Sequence, residues 1–211
     1  MSRTFLAVAH YAGGAFAGWQ RQPEQRTVQA EFERVLEELC GSRIVAHAAG
    51  RTDAGVHAVG MGVSFTAPAK WTAESLHRAL NALVAPDCWV ASVHRMRPGF
   101  HARKSARERH YRYVIGTDSA SRSPFRRPYE WALARPLDLG ALEAAAKPIL
   151  GEHDFSAFAA KGTPRPHYRC RVRVASWAIR RDWPGVTLNI ASDRFLHHMV
   201  RMLVGTMVDI G

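Results

Sequence analysis

The sequence predicts an α+β fold in which a β-α-β-β-α-β order of elements is repeated. Short stretches that alternate apolar with polar or small residues are typical of strands, and they recur along both halves of the chain. Between them lie stretches with apolar residues three and four apart, which is the spacing of an amphipathic helix. With 211 residues and 47% apolar content, the chain is long enough to bury one or two cores.

The first half contains one complete β-α-β-β-α-β set. Thr27 and Thr72 stand where helix N-caps are expected, and Gly41 suits the left-handed position that ends a helix. In chain order the predicted elements are a strand over Thr4–His10, a helix from Thr27 to Cys40, strands over Arg43–Ala48 and Val59–Phe65, a helix after Thr72 and a strand over Trp89–His94. This order is the ferredoxin-like pattern.

The second half begins in the same way but comes out one strand short. Its predicted elements are a strand over Arg109–Gly116, a linker-like segment over Ser119–Pro136, a helix from Asp138, strands over Arg169–Arg180 and Val186–Ala191, and a last helix capped by Asp193. We therefore expect two ferredoxin-like halves, residues 1–103 and 104–211, the second lacking its last strand.

The charge of the chain predicts a polyanionic partner. The sequence has 29 basic and 18 acidic residues, a net charge of +11. Ten of the basic residues fall between Arg95 and Arg127, where only Glu108 and Asp118 oppose them. Nucleic acid is the common partner of such a surface. The alternative is that abundant arginine reflects only the composition of the genome.

The cysteines and histidines give no sign of a disulfide or a metal site. Cys40, Cys88 and Cys170 are odd in number, far apart and outside any CxxC pair. The histidines lack the HExxH spacing. These features favour a reducing cytoplasm. No apolar stretch approaches the length of a membrane span, and the N-terminus is more typical of a first strand than of a signal peptide.

The segment Gly50–Ala58, which reads GRTDAGVHA, has the composition of a shaped catalytic loop between two strands. Its glycines permit tight or left-handed backbone, which would hold Asp53 in a fixed place. Arg51 and His57 are close enough in sequence to reach an anionic group. From composition alone, an ordinary Asx-turn is the more common role of an aspartate beside glycine.

GRTDAGVHA is very similar to the signature of the tRNA pseudouridine synthase A family, and four further blocks resemble that family in the same order. They are Gly18–Gln20 with Thr27–Gln29, Phe100–Tyr113, Gly151–Phe158 and Phe195–Gly205. The chain departs from the family at Tyr11–Gly14, where the pattern is YDGT, and at Gly60–Val63, where it is more polar. The family also continues beyond the position of Gly211 with a final strand, which agrees with the strand missing from the predicted second half.

The resemblance implies an isomerase that converts uridine to pseudouridine in the anticodon stem-loop of tRNA, around positions 38 to 40. It implies two RRM-like halves whose antiparallel sheets form a central RNA-binding cleft, a homodimer in the cytoplasm, and no metal or organic cofactor. Asp53 matches the family nucleophile, which either adds covalently or abstracts a sugar proton to give a glycal.

Other roles are carried over by the same resemblance. Arg201 would pair with Asp53 and keep it ionised beneath stacked bases. Its apolar neighbours Val200, Leu203 and Val204 favour a partly buried position. Tyr111 would stack on the target uracil. Arg51 would hold the RNA backbone or fill the gap left by the flipped base. Candidate phosphate contacts are Arg21, Arg103, Lys104, Arg107 and Arg109. The alternative for Tyr111 is a core position with Tyr113 and Ile115, since all three share one strand face, and the alternative for the arginines is a solvated surface position.

Other function classes remain open at this point. A non-catalytic RNA-binding module of RRM-like topology would share the element order, but its third strand should carry aromatics, and here that strand has only Phe65. A catalytically inactive synthase that still binds RNA is opposed by the intact GRTDAG. A metal-dependent hydrolase using Asp53 with His57 or His47 would need further ligands, and the histidines are scattered.

Overall fold

The fold combines helices with two separate β-sheets, as expected for an α+β protein. The computed structural model describes residues 1–160, 162 and 166–211. The chain forms two compact units, unit 1 over Met1–Ala106 and unit 2 over Arg107–Gly211. In the described part of the chain, every helix is too short or too polar to cross a lipid bilayer.

Unit 1 contains a four-stranded antiparallel sheet in the order β2-β3-β1-β4. Its strands are β1 Ser2–Tyr11, β2 His47–Ala48, β3 Ala58–Pro68 and β4 Cys88–Met96; its helices are α1 Val28–Cys40, α2 Ala73–Leu83 and the short α3 Ala102–Ser105. A 3-10 turn over Gly13–Ala15 follows β1. The six predicted elements of this half are therefore present in the predicted order.

The core of unit 1 lies between one face of the sheet and the helices α1 and α2. Every second residue of β1 from Phe5 to Tyr11 is buried, and Phe32 and Leu80 of the two helices are fully buried in the same cluster. Both predicted caps are confirmed, since Thr27 accepts from the amide of Ala30 and Thr72 from that of Ser75.

Two details of this sheet differ from the sequence-based prediction. Strict alternation along the predicted strand Val59–Phe65 would put Val59 on the same face as the buried Val63, but Val59 is 86% exposed. Gly60 has φ +98°, and the pairing of β1 with β3 slips by one residue here, so the bulge turns Val59 outward. The second strand is only His47–Ala48, because the amide of Ala46 donates to the carboxylate of Glu33 on α1 rather than to a neighbouring strand.

Unit 2 contains a five-stranded sheet in the order β6-β5-β9-β8-β7, in which only the β5–β6 pair is parallel. Its strands are β5 Arg109–Gly116, β6 Trp131–Ala132, β7 Gly151–Asp154, β8 Arg169–Ile179 and β9 Gly185–Ser192; its helices are α4 Leu139–Ala146 and α5 Met199–Ile210. Apolar residues of both helices and of β5, β8 and β9 form a second core.

The structure of unit 2 differs from the sequence-based prediction at three points. The segment predicted as a linker, Ser119–Pro136, contains a 3-10 turn and β6. The short strand β7 was not predicted. Asp193 does not cap α5, which begins at Met199; instead Oδ1 of Asp193 accepts from the amide of Arg171. In the described residues no strand follows α5.

Replacing Glu33 should destabilise unit 1 by about 1 to 3 kcal/mol, because Glu33→Ala leaves buried donors of Gln29 and Ala46 without this acceptor. Glu37→Ala, on the exposed face of the same helix, is the matched control and should cost less than about 0.5 kcal/mol. Urea unfolding of the two variants measures the difference. Equal losses would show that Glu33 does not hold α1 to the segment before β2.

Candidate active site

The loop that carries Asp53, residues 49–57, joins β2 to β3 at the end of the unit 1 sheet. The carbonyl of Asp53 accepts from the amide of Val56 at 3.2 Å, and Gly55 within this turn has φ +78°. A positive φ at the third turn position is typical of a type II turn and favours glycine. Asp53 thus lies at the first position of a tight turn, half-buried, while Arg51 is exposed.

Thr52, immediately before Asp53, is held at two atoms. Its hydroxyl shares a 2.8 Å hydrogen bond with the hydroxyl of Tyr11, at the end of β1. Its carbonyl accepts from the amide of Trp19 at 3.0 Å. Thr52, Tyr11 and Trp19 are all buried, so competition from water is small. The backbone that leads into Asp53 is therefore fixed to the core of unit 1.

The far side of the loop is held by the segment that follows β1. The amide of Gly13 donates to Nδ1 of His57 at 3.2 Å, and the amide of Gly55 donates to the carbonyl of Phe16 at 3.2 Å. In the first bond Nδ1 of His57 is the acceptor, since a backbone amide can only donate. His57 is thereby assigned to holding the loop through this nitrogen.

Two glycines permit this close approach of backbone to backbone. A Cβ on Gly13 would come within 2.1 Å of the carbonyl oxygen of Val56. A Cβ on Gly18, which has φ +98°, would come within 2.7 Å of the carbonyl oxygen of Thr52. Any side chain at either position would push the loop away from the core.

The segments Gly18–Gln20 and Thr27–Gln29 brace each other behind the loop. The amide of Val28 donates to the carbonyl of Gly18, and the amide of Gln29 donates to the carbonyl of Trp19. The ring of Trp19 packs 6.2 Å from that of Phe32 on α1. The positioning residues Tyr11, Gly13 and Thr52 were missed from the sequence. Paired glycines directly after a strand were the available signal.

In unit 2, Tyr111 and Tyr113 lie half-buried on the core-facing side of β5, together with the fully buried Ile115. Tyr111 makes an edge-to-face contact with Phe195, with ring centroids 5.1 Å apart. The sequence-based expectation that the three share a face agrees with this packing. Tyr111 is therefore an ordered ring at the margin of the core.

Arg201 lies on α5 and is exposed, although its apolar neighbours in sequence had suggested a partly buried position. Leu203 and Val204 take the buried face of the helix instead. Burial raises the pKa of the Tyr113 hydroxyl above its ordinary value, and the positive charge of Arg201 opposes that shift. Arg201 therefore acts electrostatically on the β5 face that carries Tyr111.

The residues predicted as phosphate contacts fall into two groups. Arg103, Lys104 and Arg107 are exposed. The other two are engaged within their own units: Nη1 of Arg21 pairs with Glu33 at 3.1 Å, and Nη1 of Arg109 donates to the carbonyl of Asp193 at 2.8 Å. Arg21 keeps half of its side chain exposed in that pair.

The turn that presents Arg103 and Lys104 is fixed to the unit 1 sheet. The amide of Ala102 donates to the hydroxyl of Ser64 on β3 at 2.9 Å, and the ring of His101 stacks on that of His47 at 4.4 Å. Burial and the charge of neighbouring groups lower the pKa of His101. Within either unit taken by itself, the described residues contain no group of three His, Cys, Asp or Glu side chains close enough to share an ion.

Gly13→Ala should cost about 1 to 3 kcal/mol of stability, because the new methyl group would displace the backbone at Val56. Gly14→Ala is the matched control, since nothing lies within 4 Å of its Cβ position. Urea unfolding gives the cost, and amide hydrogen exchange should rise over residues 49–57 in Gly13→Ala only. Identical behaviour of the two variants would contradict the close packing of this loop.

Comparison with known proteins identifies the family of this chain. A family profile described as tRNA pseudouridine synthase matches residues 7–102 and 145–211. Asp53, Arg51 and Arg201 lie within these matched parts, and Tyr111 lies between them.

Three relatives, each named tRNA pseudouridine synthase A, are similar over most of the chain. That of Moorella thermoacetica is 41% identical over 203 residues, which is 95% of this chain and 81% of the relative. That of Shouchella clausii is 40% identical over 95% of this chain and 76% of the relative. That of Halalkalibacterium halodurans is 41% identical over 100% of this chain and 79% of the relative. The chain therefore belongs to the tRNA pseudouridine synthase family.

Proposed function

We propose that this protein converts uridine to pseudouridine in the anticodon stem-loop of tRNA, around positions 38 to 40, with Asp53 as the nucleophile. The observation that carries the proposal is the loop of Asp53, which is held to the core of unit 1 through the hydroxyl and the carbonyl of Thr52. A carboxylate on such a loop needs little rearrangement to meet a reacting sugar, and this preorganisation is a main source of catalytic power.

The reaction breaks the bond between N1 of the base and C1′ of the ribose, turns the base, and joins C5 to C1′. C5 loses its hydrogen as a proton and N1 gains one, so the reaction neither oxidises nor hydrolyses the substrate. Asp53 acts as an ionised carboxylate, either by adding to the sugar or by abstracting a proton from it. Both routes remain open.

Tyr111 is proposed to stack on the target uracil after the nucleotide leaves the RNA helix. An extruded base loses its neighbours, and an aromatic ring can return about 1 to 3 kcal/mol of stacking per base. Support comes from the half-buried position of Tyr111 and its contact with Phe195, which orders the ring before the base arrives.

Arg201 is proposed to favour the ionised form of Asp53, and this pairing remains a prediction. Arg51, exposed beside the nucleophile, is proposed to hold the backbone of the RNA or to fill the place of the flipped base. Arg103, Lys104 and Arg107 are proposed as phosphate contacts because their side chains are exposed. Arg21 and Arg109 would first exchange part of their present bonds.

We also propose that both units are ferredoxin-like halves. The order β4-β1-β3-β2 with both helices against one face supports this for unit 1. For unit 2 the support is the order β5-β9-β8 with α4 and α5 in one core. A cytoplasmic homodimer is proposed from the family resemblance. The three free cysteines are compatible with a reducing compartment.

Tritium release from tRNA labelled at C5 of uridine tests the function and the nucleophile together. Wild type should release the label, because C5 exchanges its hydrogen for the bond to C1′. Asp53→Asn should bind tRNA but release none, and Asp209→Asn, an exposed carboxylate on α5, should match wild type. If Asp53→Asn works as well as wild type, the nucleophile is misassigned. If wild type binds tRNA and releases no label, the RNA-binding module is the better description.

Arg201→Met should reduce turnover at saturating tRNA by about tenfold or more, while tRNA binding changes little. The uncharged side chain would no longer oppose the cost of keeping a carboxylate ionised beneath stacked bases. Arg181→Met, at another exposed arginine of unit 2, is the control and should leave turnover unchanged. Unchanged turnover in Arg201→Met would remove Arg201 from the site.

A further inference from the structure

The segment of unit 2 between β5 and α4 carries exposed aromatic residues and arginines close together in sequence. Phe125 is 89% exposed, Tyr129 64% and Trp131 38%, and Arg122 and Arg127 are exposed among them. We call these five residues the aromatic–arginine patch. The patch lies between the two parts of the chain that match the family profile, and none of its residues has a role in the site described above.

A buried ion-pair network holds the segment in place. The carboxylate of Glu130, 2% exposed, accepts from Nε of Arg126 at 2.7 Å and from Nη1 of Arg180. Nη1 of Arg126 also donates to Asp118 at 2.9 Å, and the ring of Trp183 lies 4.9 Å from its guanidinium. Asp118 follows β5, and Arg180 and Trp183 lie in the connection from β8 to β9, so these groups tie the segment to one end of the unit 2 sheet. The patch is therefore ordered before any partner binds.

The patch itself carries two positive charges, because its two arginines take no part in this network. Both oxygens of Glu130 are already paired with buried arginines, and Asp118 is paired with one of them. In the part of the chain that the structure describes, neither Arg122 nor Arg127 forms an ion pair. Both guanidinium groups are therefore available to an incoming anion, and arginine is well suited to phosphate.

A surface cavity of about 510 Å³ lies at the patch, lined by Arg122, Arg127, Glu130, Trp131 and Ala132. This volume is within the range of ligand sites, roughly 300 to 1,000 Å³. The lining therefore includes one indole side chain and two arginines. An indole face suits a planar base, and the arginines suit the phosphates on either side of it.

We propose that the aromatic–arginine patch binds an unpaired nucleotide of the RNA substrate, other than the nucleotide that reacts. The base lies against the aromatic rings, and Arg122 and Arg127 hold the adjacent phosphates. The identity of the RNA as tRNA rests on the proposed function; the chemistry of the patch requires only a single-stranded stretch of nucleic acid.

A second copy of the chain is the other possible occupant of an exposed aromatic surface. In a two-fold symmetric dimer the same patch would lie on both sides of the interface. Arg122 and Arg127 of each copy would then approach like charges, which opposes association. A polyanion removes this repulsion, so charge complementarity favours RNA.

The test compares Arg122→Gln/Arg127→Gln with a control pair that removes equal charge elsewhere, Arg78→Gln/Lys147→Gln. Fluorescence anisotropy measures binding of tRNA, of a single-stranded uridine 12-mer and of an RNA duplex. At 0.1 M salt the patch pair should weaken tRNA and 12-mer binding about tenfold. On a single strand each phosphate contact contributes roughly 0.7 to the slope of log affinity against log salt concentration. Loss of two contacts should therefore make that slope shallower by about 1.4. Duplex binding should change no more than in the control pair.

Phe125→Ala tests the aromatic contribution, because the exposed ring has little part in folding. It should weaken tRNA and 12-mer binding by about fivefold or more, with the salt slope unchanged, since stacking involves no phosphate. Crosslinking with tRNA that carries 4-thiouridine should label the peptide containing Phe125–Trp131. Turnover at saturating tRNA should equal that of wild type in all these variants.

Several results would overturn the proposal. The first is that Arg122→Gln/Arg127→Gln binds every RNA as tightly as wild type. The second is that it loses no more affinity than the control pair, which would show that only net charge matters. Equal losses of affinity for duplex and single-stranded RNA would show that the patch does not contact a base. If sedimentation shows that wild type self-associates and Phe125→Ala dissociates it without loss of RNA binding, the patch is a contact between copies.

The proposed function can fail separately. If wild type releases no tritium but the patch variants lose 12-mer binding as described, the patch assignment stands and the isomerase assignment falls. If tritium release is normal and binding is unaffected in the patch variants, only the patch assignment falls.

Discussion

The geometry of the candidate site depends on how Thr52 is held. Its hydroxyl and its carbonyl are bonded to two different parts of the unit 1 core, the end of β1 at Tyr11 and the segment at Trp19. These bonds, together with the turn that contains Gly55, fix the position of the next residue, Asp53. A nucleophile fixed in this way depends on packing several residues away, which is why the surrounding glycines and aromatics matter to chemistry that they do not touch.

Much of unit 1 was predictable because local and tertiary preferences agree there. Thr27 and Thr72 cap helices, Gly41 ends one, and the alternation in β1 corresponds to its buried face. Prediction failed where a single contact overrode the pattern. The bulge at Gly60 reversed the side of Val59, and the carboxylate of Glu33 took the amide of Ala46 out of a strand. Neither contact follows from the composition of the segment in which it occurs.

In unit 2 the errors have a different source. The segment Ser119–Pro136 is rich in proline and arginine and lacks periodicity, so it was interpreted as a linker. Its order comes from Glu130, which pairs with Arg180 fifty positions further along the chain. Long-range ion pairs leave no periodic trace in a sequence. The hydrogen bonds that hold the candidate site are also long-range and leave no such pattern. The motif indicated Asp53, but the bonds that hold its loop to Tyr11 and Gly13 became visible only in three dimensions.

The pairing of β5 has a consequence for how copies of this protein meet. On its outer side β5 pairs only with the two residues of β6, at Ile115 and Gly116, so within the described residues Arg109–Val114 pair with no strand on that side. An unpaired edge invites another chain to add a strand and begin an aggregate. Here the exposed part of that edge carries His110 and Arg112. Antiparallel pairing of two such edges centred on Arg112 would place two guanidinium groups opposite each other. Like charges across paired strands are destabilising, so Arg112 opposes the addition of a second copy at this edge.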